Sequence, residues 1–431
     1  MRSQATAAPI QSRSNAILSS VRHILPLLLL LAACRDERAS GPLRQEAYVW
    51  QRSWTPSVRE AVAEARGFAG LVVLAAEVDF RGAAPRVVRV PLSGPSLRAS
   101  GRPVGVAVRV LSFPGRFGDD PRLGRYLAKL ARSLLAEAKA QGLPLSEIQI
   151  DYDCPESKLD DYRGLLPVLR KAVAPVPVVI TALPAWLSQK RAFGELMAAA
   201  DGTVLQVHSL SPPRGPDERI VLCDPEAARE WVEAAARFGR PFRVALPTYG
   251  YAAAFDRKGA LLGLSAEGPR LSWPEGVRVE TARSDPAAMA GLVRGWTEDR
   301  PPELAGLLWY RLPVPEDRLN WTAPTLAAVM AGRVPRGAVR AVSREPEPGL
   351  VEIDLVNVGD GETPWPSPVR VRWSHDTFLA ADGLGGYRVR RRGDREILLE
   401  RTGSSSRPGE RRVVAWLRFS APTEVQVEIP R

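Results

Sequence analysis

One alternation constrains this chain more than any other feature. Short apolar, β-rich runs at 48–54, 70–80, 104–110, 148–153, 177–186, 203–210, 242–251 and 305–313 are separated mostly by segments with helical periodicity. Within 121–141, Leu123, Tyr126, Leu127, Leu130, Leu134 and Leu135 recur at helical spacing behind Asp119-Asp120-Pro121, which suits a cap and first turn. Segments 159–173, 188–200, 224–238, 285–296 and 322–331 read the same way. A strand and a crossover repeated eight times predict an α/β fold, a closed (β/α)8 TIM barrel with insertions. The rival is an open doubly wound sheet, but no Gly-rich phosphate turn follows any strand.

The pattern changes after Arg333. Val351, Ile353 and Leu355 alternate with Glu352 and Asp354, and Val369, Val371 and Trp373 with Arg370 and Arg372. Further short strands are expected at 386–392, 396–401, 412–419 and 424–429, with Gly, Pro and Ser clusters between them. This predicts an immunoglobulin-like β-sandwich at the C-terminus, serving as a prop for the barrel. The expected organisation is 1–33 signal peptide, 34–46 tether, 47–333 barrel and 334–431 sandwich.

The N-terminus reads as an address. Residues 24–33 form an apolar run behind Arg22 and His23. Ten residues rise about 15 Å as a helix, half of a bilayer core, so the run fits a signal-peptide core better than a membrane span. It ends in Leu31-Ala32-Ala33-Cys34, which resembles a bacterial lipobox. That resemblance implies acylation at Cys34, and Arg35 in place of Asp implies sorting to an outer membrane, with the protein facing the periplasm of the cell envelope.

Charge and composition remove other classes. The formal charge is +11, but only six of the 59 basic residues are Lys, a bias spread along the whole chain. The one dense cluster, Arg388, Arg390, Arg391, Arg392 and Arg395, is followed by Glu396 and Glu400 and reads as a solvated strand face, so no nucleic-acid partner is expected. Three His and three Cys leave little for a metal site, and no metal or organic cofactor is expected. Cys154 and Cys223 are candidates to pair in an oxidising compartment.

Active sites of such barrels lie at the C-terminal strand ends. In Ile148–Pro155, written IQIDYDCP, the residues Gln149, Asp151 and Asp153 share one strand face and Ile148, Ile150 and Tyr152 the other. The polar set should line the barrel axis. Two carboxylates so placed raise each other's proton affinity, which keeps an acid protonated near neutral pH. Glu77 and Asp79 end the second strand and Arg109 the third; Gln206 and His208 share a face on the sixth. Trp50 and Arg52, Trp186, Tyr249 and Tyr251, and Trp309, Tyr310 and Arg311 lie at or after other strand ends. Acids ringed by Trp and Tyr suit a sugar site, where aromatic faces stack on pyranose rings. Asp153 and Asp151 are the candidate catalytic pair. Gln149, Glu77, Asp79, Trp50, Trp186, His208, Tyr249 and Trp309 are the candidate substrate contacts, and the partner is a glycan or other polysaccharide.

Gln149-Ile-Asp151-Tyr-Asp153 resembles the fourth-strand motif of the chitinase-like glycoside hydrolases of family 18, in which a terminal Glu protonates the glycosidic oxygen. The resemblance implies Asp153 as general acid and Asp151 as its support, with Gln149 standing where that family has Asp. Tyr48-Val-Trp50-Gln-Arg52, Ile150-Asp-Tyr-Asp-Cys-Pro155 and Leu246-Pro-Thr-Tyr-Gly-Tyr251 look like the bacterial family grouped under domain of unknown function 3142, over roughly 47–333. The function expected is a lipid-anchored envelope protein that hydrolyses or binds a glycan. The alternatives are a non-catalytic sugar-binding barrel and a structural envelope lipoprotein, the latter marked by a mouth plugged with Trp and Arg side chains.

Overall fold

The computed structural model describes residues 38–81, 84–111, 113, 121–208, 213, 215–218, 220–266, 273–375 and 378–430, with side chains of the first helix positions 121–123 excepted. The expected signal core, Cys34 and the Asp119-Asp120 cap lie outside the described residues.

The first twelve strands are β1 (Arg44–Val49), β2 (Leu71–Asp79), β3 (Arg86–Arg89), β4 (Val104–Val110), β5 (Leu145–Tyr152), β6 (Val178–Ala182), β7 (Gly202–Gln206), β8 (Phe242–Pro247), β9 (Gly250–Phe255), β10 (Leu261–Ser265), β11 (Arg278–Arg283) and β12 (Leu304–Tyr310). Eight of them, β1, β2, β4, β5, β6, β7, β8 and β12, pair in parallel, and β1 closes the barrel by pairing with both β12 and β2. Among the described residues the helices are α1 (Pro56–Ala63), α2 (Gly94–Ala99), α3 (Pro121–Ala140), α4 (Leu159–Val173), α5 (Lys190–Ala199), α6 (Pro225–Ala236), α7 (Pro286–Glu298) and α8 (Ala323–Met330). Short α1 and α2 escaped the periodicity reading, because eight and six residues span too few turns to show a face. The antiparallel strand β3 and the three-stranded β10-β9-β11 sheet are excursions from the barrel.

The start of the fold differs from the expected tether. Residues 44–46 are the first half of β1, Ala39 bridges to Arg300, and Arg38 holds Glu233 and Asp299. An inward-facing Glu46 explains why the sequence reads as polar here.

Local signals set the helix starts. Asp224 accepts hydrogen bonds from the Glu226 and Ala227 amides, and Asp285 from the Ala287 and Ala288 amides, each followed by Pro at the first position. Asp285→Ala is expected to cost about 1 kcal/mol, read as a lower urea midpoint at unchanged m-value.

The barrel interior is built in layers. At its base Arg243 bonds both oxygens of Glu147 at 2.9 and 2.8 Å and also donates to Glu46. Gly105 makes room there: a Cβ would lie 2.6 Å from Cγ of Glu147. Above sit Tyr48, Val72, Ala107, Val179, Val204, Ala245 and Leu308. The Tyr48 hydroxyl donates to Gln149 (2.7 Å), whose amide donates to Glu147 (2.6 Å), so a polar column runs up one side of the axis. Ile148, Ile150 and Tyr152 face outward into the shell that α4 covers with Tyr162, Leu165, Leu166 and Leu169.

The C-terminal sandwich packs two antiparallel sheets. One orders Val339–Glu347, Leu350–Asn357, Arg411–Phe419 and Phe378–Gly383; the other orders Arg388–Arg391, Glu396–Glu400, Val369–Trp373 and Val425–Glu428. Alternating residues Val351, Ile353, Leu355, Val369, Val371 and Trp373 fill its core. Arg388, Arg390, Arg391, Arg392 and Arg395 are exposed, and Arg390 pairs with Glu400 at 2.7 Å. The sandwich is docked on the barrel: Arg407 donates to the Asp317 and Asn320 carbonyls, and Thr325 to that of Asp360.

Candidate active site

At the C-terminal ends of the barrel strands lies an open cleft of about 380 Å³. Its position follows from side-chain parity. Along β5, Glu147, Gln149 and Asp151 step up the axis from base to mouth, and Asp153 follows at the rim. Arg109 is the register partner of Asp151 on one side, and Thr181 reaches it from β6 on the other.

Asp151 is 7% exposed. Its Oδ1 accepts from Oγ1 of Thr181 (2.9 Å) and Nε2 of Gln206 (3.1 Å), while Oδ2 lies 3.8 Å from Nε of Arg109. Burial pushes its carboxyl above the ordinary range, against the pull of Arg109 and those two hydrogen bonds. Asp153 is exposed at the rim on its solvent side. The cleft wall around it, then the neighbouring Asp151 charge, push its carboxyl up to about 6. A carboxyl whose proton affinity rises on folding contributes stability below its unfolded pKa and loses it as pH passes through the folded value. Asp153→Asn is therefore expected to melt with a shallower decline between pH 4 and 7 than the wild type, measured by calorimetry in matched buffers.

The opposite wall is aromatic. The Trp50 ring centroid lies 5.2 Å from Tyr48 and 5.3 Å from Tyr310; Tyr310 lies 5.2 Å from Tyr249 and stacks on His208 at 5.6 Å. Nδ1 of His208 is 3.1 Å from the Tyr249 hydroxyl, and burial lowers the imidazole to about 4, leaving it neutral at neutral pH. Tyr251, on excursion strand β9, adds to the rim. Gly250 lets the chain leave β8 so closely, since a Cβ there would lie 2.5 Å from the Ala282 carbonyl oxygen.

The structure gathers Trp50, Asp151, Asp153, His208 and Tyr249 into this cleft. It places five other candidates elsewhere. Trp186 is 1% exposed, packs on Tyr162 and Phe193, and donates Nε1–H to the Cys154 carbonyl at 3.1 Å. Trp309 is fully buried on the outward face of β12, donates to Gln45 and packs on Trp321. Both are core residues: Trp309 has the outward parity of β12, and the short helical turn Pro184–Ser188 after β6 carries Trp186 behind the barrel wall. Gln149 lies below the cleft floor in the polar column. Asp79 is tied to Arg81, at 2.6 Å.

Glu77 is a subtler case. A bulge between Leu74 and Ala76 inserts one residue into β2, so Leu74 and Glu77 both face inward, opposite Ala107 and Arg109. Its carboxylate is held by Arg52 in a two-point pair at 2.8 and 2.9 Å and does not line the cleft. Cys154 and Cys223 are both free. Among the described residues no cluster of three His, Cys, Asp or Glu is placed to hold a metal. Sequence reasoning missed Tyr48 and Thr181 as cleft residues, since the apolar run around Thr181 is buried on both faces and hides its parity.

The profile described as Domain of unknown function (DUF3142) matches residues 100–315, half of the chain and most of the barrel. The chain belongs to that family. The DUF3142 match spans β5 with Asp151 and Asp153, and a second profile, Domain of unknown function (DUF8456), matches 340–420 in the sandwich. No curated protein matches the chain. Among solved structures, the spore cortex-lytic enzyme SleL of Bacillus megaterium QM B1551 is similar at 13% identity and TM-score 0.49, over 69% of this chain and 75% of that one. A chitinase from Chromobacterium violaceum ATCC 12472 is similar at 16% identity and TM-score 0.46, over 67% and 98%.

Proposed function

We propose that the cleft binds a glycan and hydrolyses a glycosidic bond, with Asp153 as general acid. The observation that carries this reading is a carboxyl raised to about 6 at the rim of a cleft walled by Trp50, Tyr249, Tyr251 and Tyr310. Such a group is partly protonated near neutral pH and open to a leaving-group oxygen, while the rings offer faces for sugars. Asp151 holds the neighbouring negative charge that favours the proton on Asp153. Trp50 and Arg109 stand in the wall without filling the mouth, which supports a ligand site over a purely structural network. The lipid anchor at Cys34 and a periplasm-facing place at the outer membrane belong to the same proposal, supported by the apolar run at 24–33 and Leu31-Ala32-Ala33-Cys34.

A second reading, a binding barrel without catalysis, is favoured by one observation. Glu77, an acid that could have joined Asp153 as a second carboxylate, is paired with Arg52 and does not line the cleft. The deciding test measures reducing-end release from a glycan panel, including peptidoglycan and chitin oligomers, by the wild type and Asp153→Asn. Hydrolysis by the wild type alone, falling as pH rises above about 6, is the expected result. Glycan binding by calorimetry without release from either protein would leave the binding barrel as the function.

A further inference from the structure

Arg109 is the unusual group of this cleft. It sits on the inward face of β4 between Glu77 on β2 and Asp151 on β5, and its side chain is 35% exposed. A guanidinium carries five N–H donors. Among the described residues Arg109 makes no hydrogen bond, and its one ion pair, to Asp151, is 3.8 Å long. That distance is too great for a hydrogen bond. Both neighbours have partners of their own: Glu77 is taken by Arg52, and Oδ1 of Asp151 by Thr181 and Gln206. The other two arginines nearby, Arg52 and Arg311, are each bound to an acid. Arg109 is thus left facing the cavity with its donors unspent.

We infer that Arg109 is a specificity-determining residue and that the glycan taken by this cleft carries an anionic substituent, a carboxylate or a sulfate, on the ring lying beside Asp151. The inference rests on the glycan reading above and adds its substrate class. A charged acceptor gives Arg109 the short, two-point hydrogen bonds that the described residues do not supply. Opposition from the cleft acids is weakened, because the cleft wall and the neighbouring Asp151 favour the neutral form of Asp153. His208 is neutral, so the facing wall adds no competing charge.

The test is calorimetric titration of the full-length protein, in mild detergent at low ionic strength, with four tetrasaccharides. Tetragalacturonate and a sulfated galactan tetramer are the acidic arms, and cellotetraose and chitotetraose the neutral ones. At least one acidic sugar is expected to bind about tenfold more tightly than either neutral sugar, the worth of one charge-assisted contact. Arg109→Met should abolish that preference, and Arg109→Lys should keep part of it. Melting curves of both variants check that the barrel is intact. Whichever acidic arm binds identifies the substituent. Equal or tighter binding of the neutral sugars, or a preference that survives Arg109→Met, overturns the inference and leaves the glycan reading standing. If none of the four binds, both fall together.

Discussion

Replacing Arg243 by methionine is expected to destabilise the protein by about 3–5 kcal/mol. Arg243 lies at the base of the barrel between Glu46 and Glu147, and all three side chains are largely buried. The two carboxylates hold the guanidinium above its ordinary range, against burial, so it is charged at every accessible pH. Removing it leaves two carboxylates enclosed by strands, with Arg44 still beside Glu46 at the edge. The methionine covers similar apolar area, so the loss is electrostatic in origin. Urea unfolding of wild type and variant measures this loss. A deficit below about 1 kcal/mol would mean that water reaches the barrel base and screens the acids. Converting all three residues to uncharged ones together should recover most of the loss.

Trp186→Ala is expected to cost about 3–5 kcal/mol, the range for removing a large buried aromatic. Its ring is enclosed by Tyr162 and Phe193, and alanine leaves a cavity that the helical shell cannot collapse to fill. Trp186→Phe keeps most of the ring packing but orphans the Cys154 carbonyl, for about 1 kcal/mol. Because that carbonyl follows Asp153 directly, both variants loosen the segment carrying the rim acid. A tryptophan acting as a sugar platform would give the reverse pattern, with lost glycan binding at unchanged stability. Denaturant melts beside glycan titrations of the two variants separate these outcomes.

The site was legible where its chemistry lay along one strand. Gln149, Asp151 and Asp153 announce a polar inner face because period two is a local property, and the structure keeps that parity from the base of the barrel to its rim. Legibility failed where the answer depended on a neighbour. Trp309 and Tyr310 are adjacent, and nothing local says which one faces the axis; pairing of β12 with β1 and β8 turns Tyr310 inward and Trp309 under the shell. Glu77 faces inward only because a bulge shifts the second half of β2, and no residue pattern in its apolar run marks that bulge.

The order of strands and helices, the change to sandwich patterning after Arg333 and the paired acids on β5 could be read from the residues alone. Each of these is written in short-range periodicity and caps. Barrel packing settled which aromatics wall the cleft, that Arg52 pairs with Glu77, and that Arg109 faces the cavity with no hydrogen bond to a described residue. Those outcomes follow from barrel closure, which brings together side chains far apart in the chain and sets their charges against one another at distances no local pattern encodes.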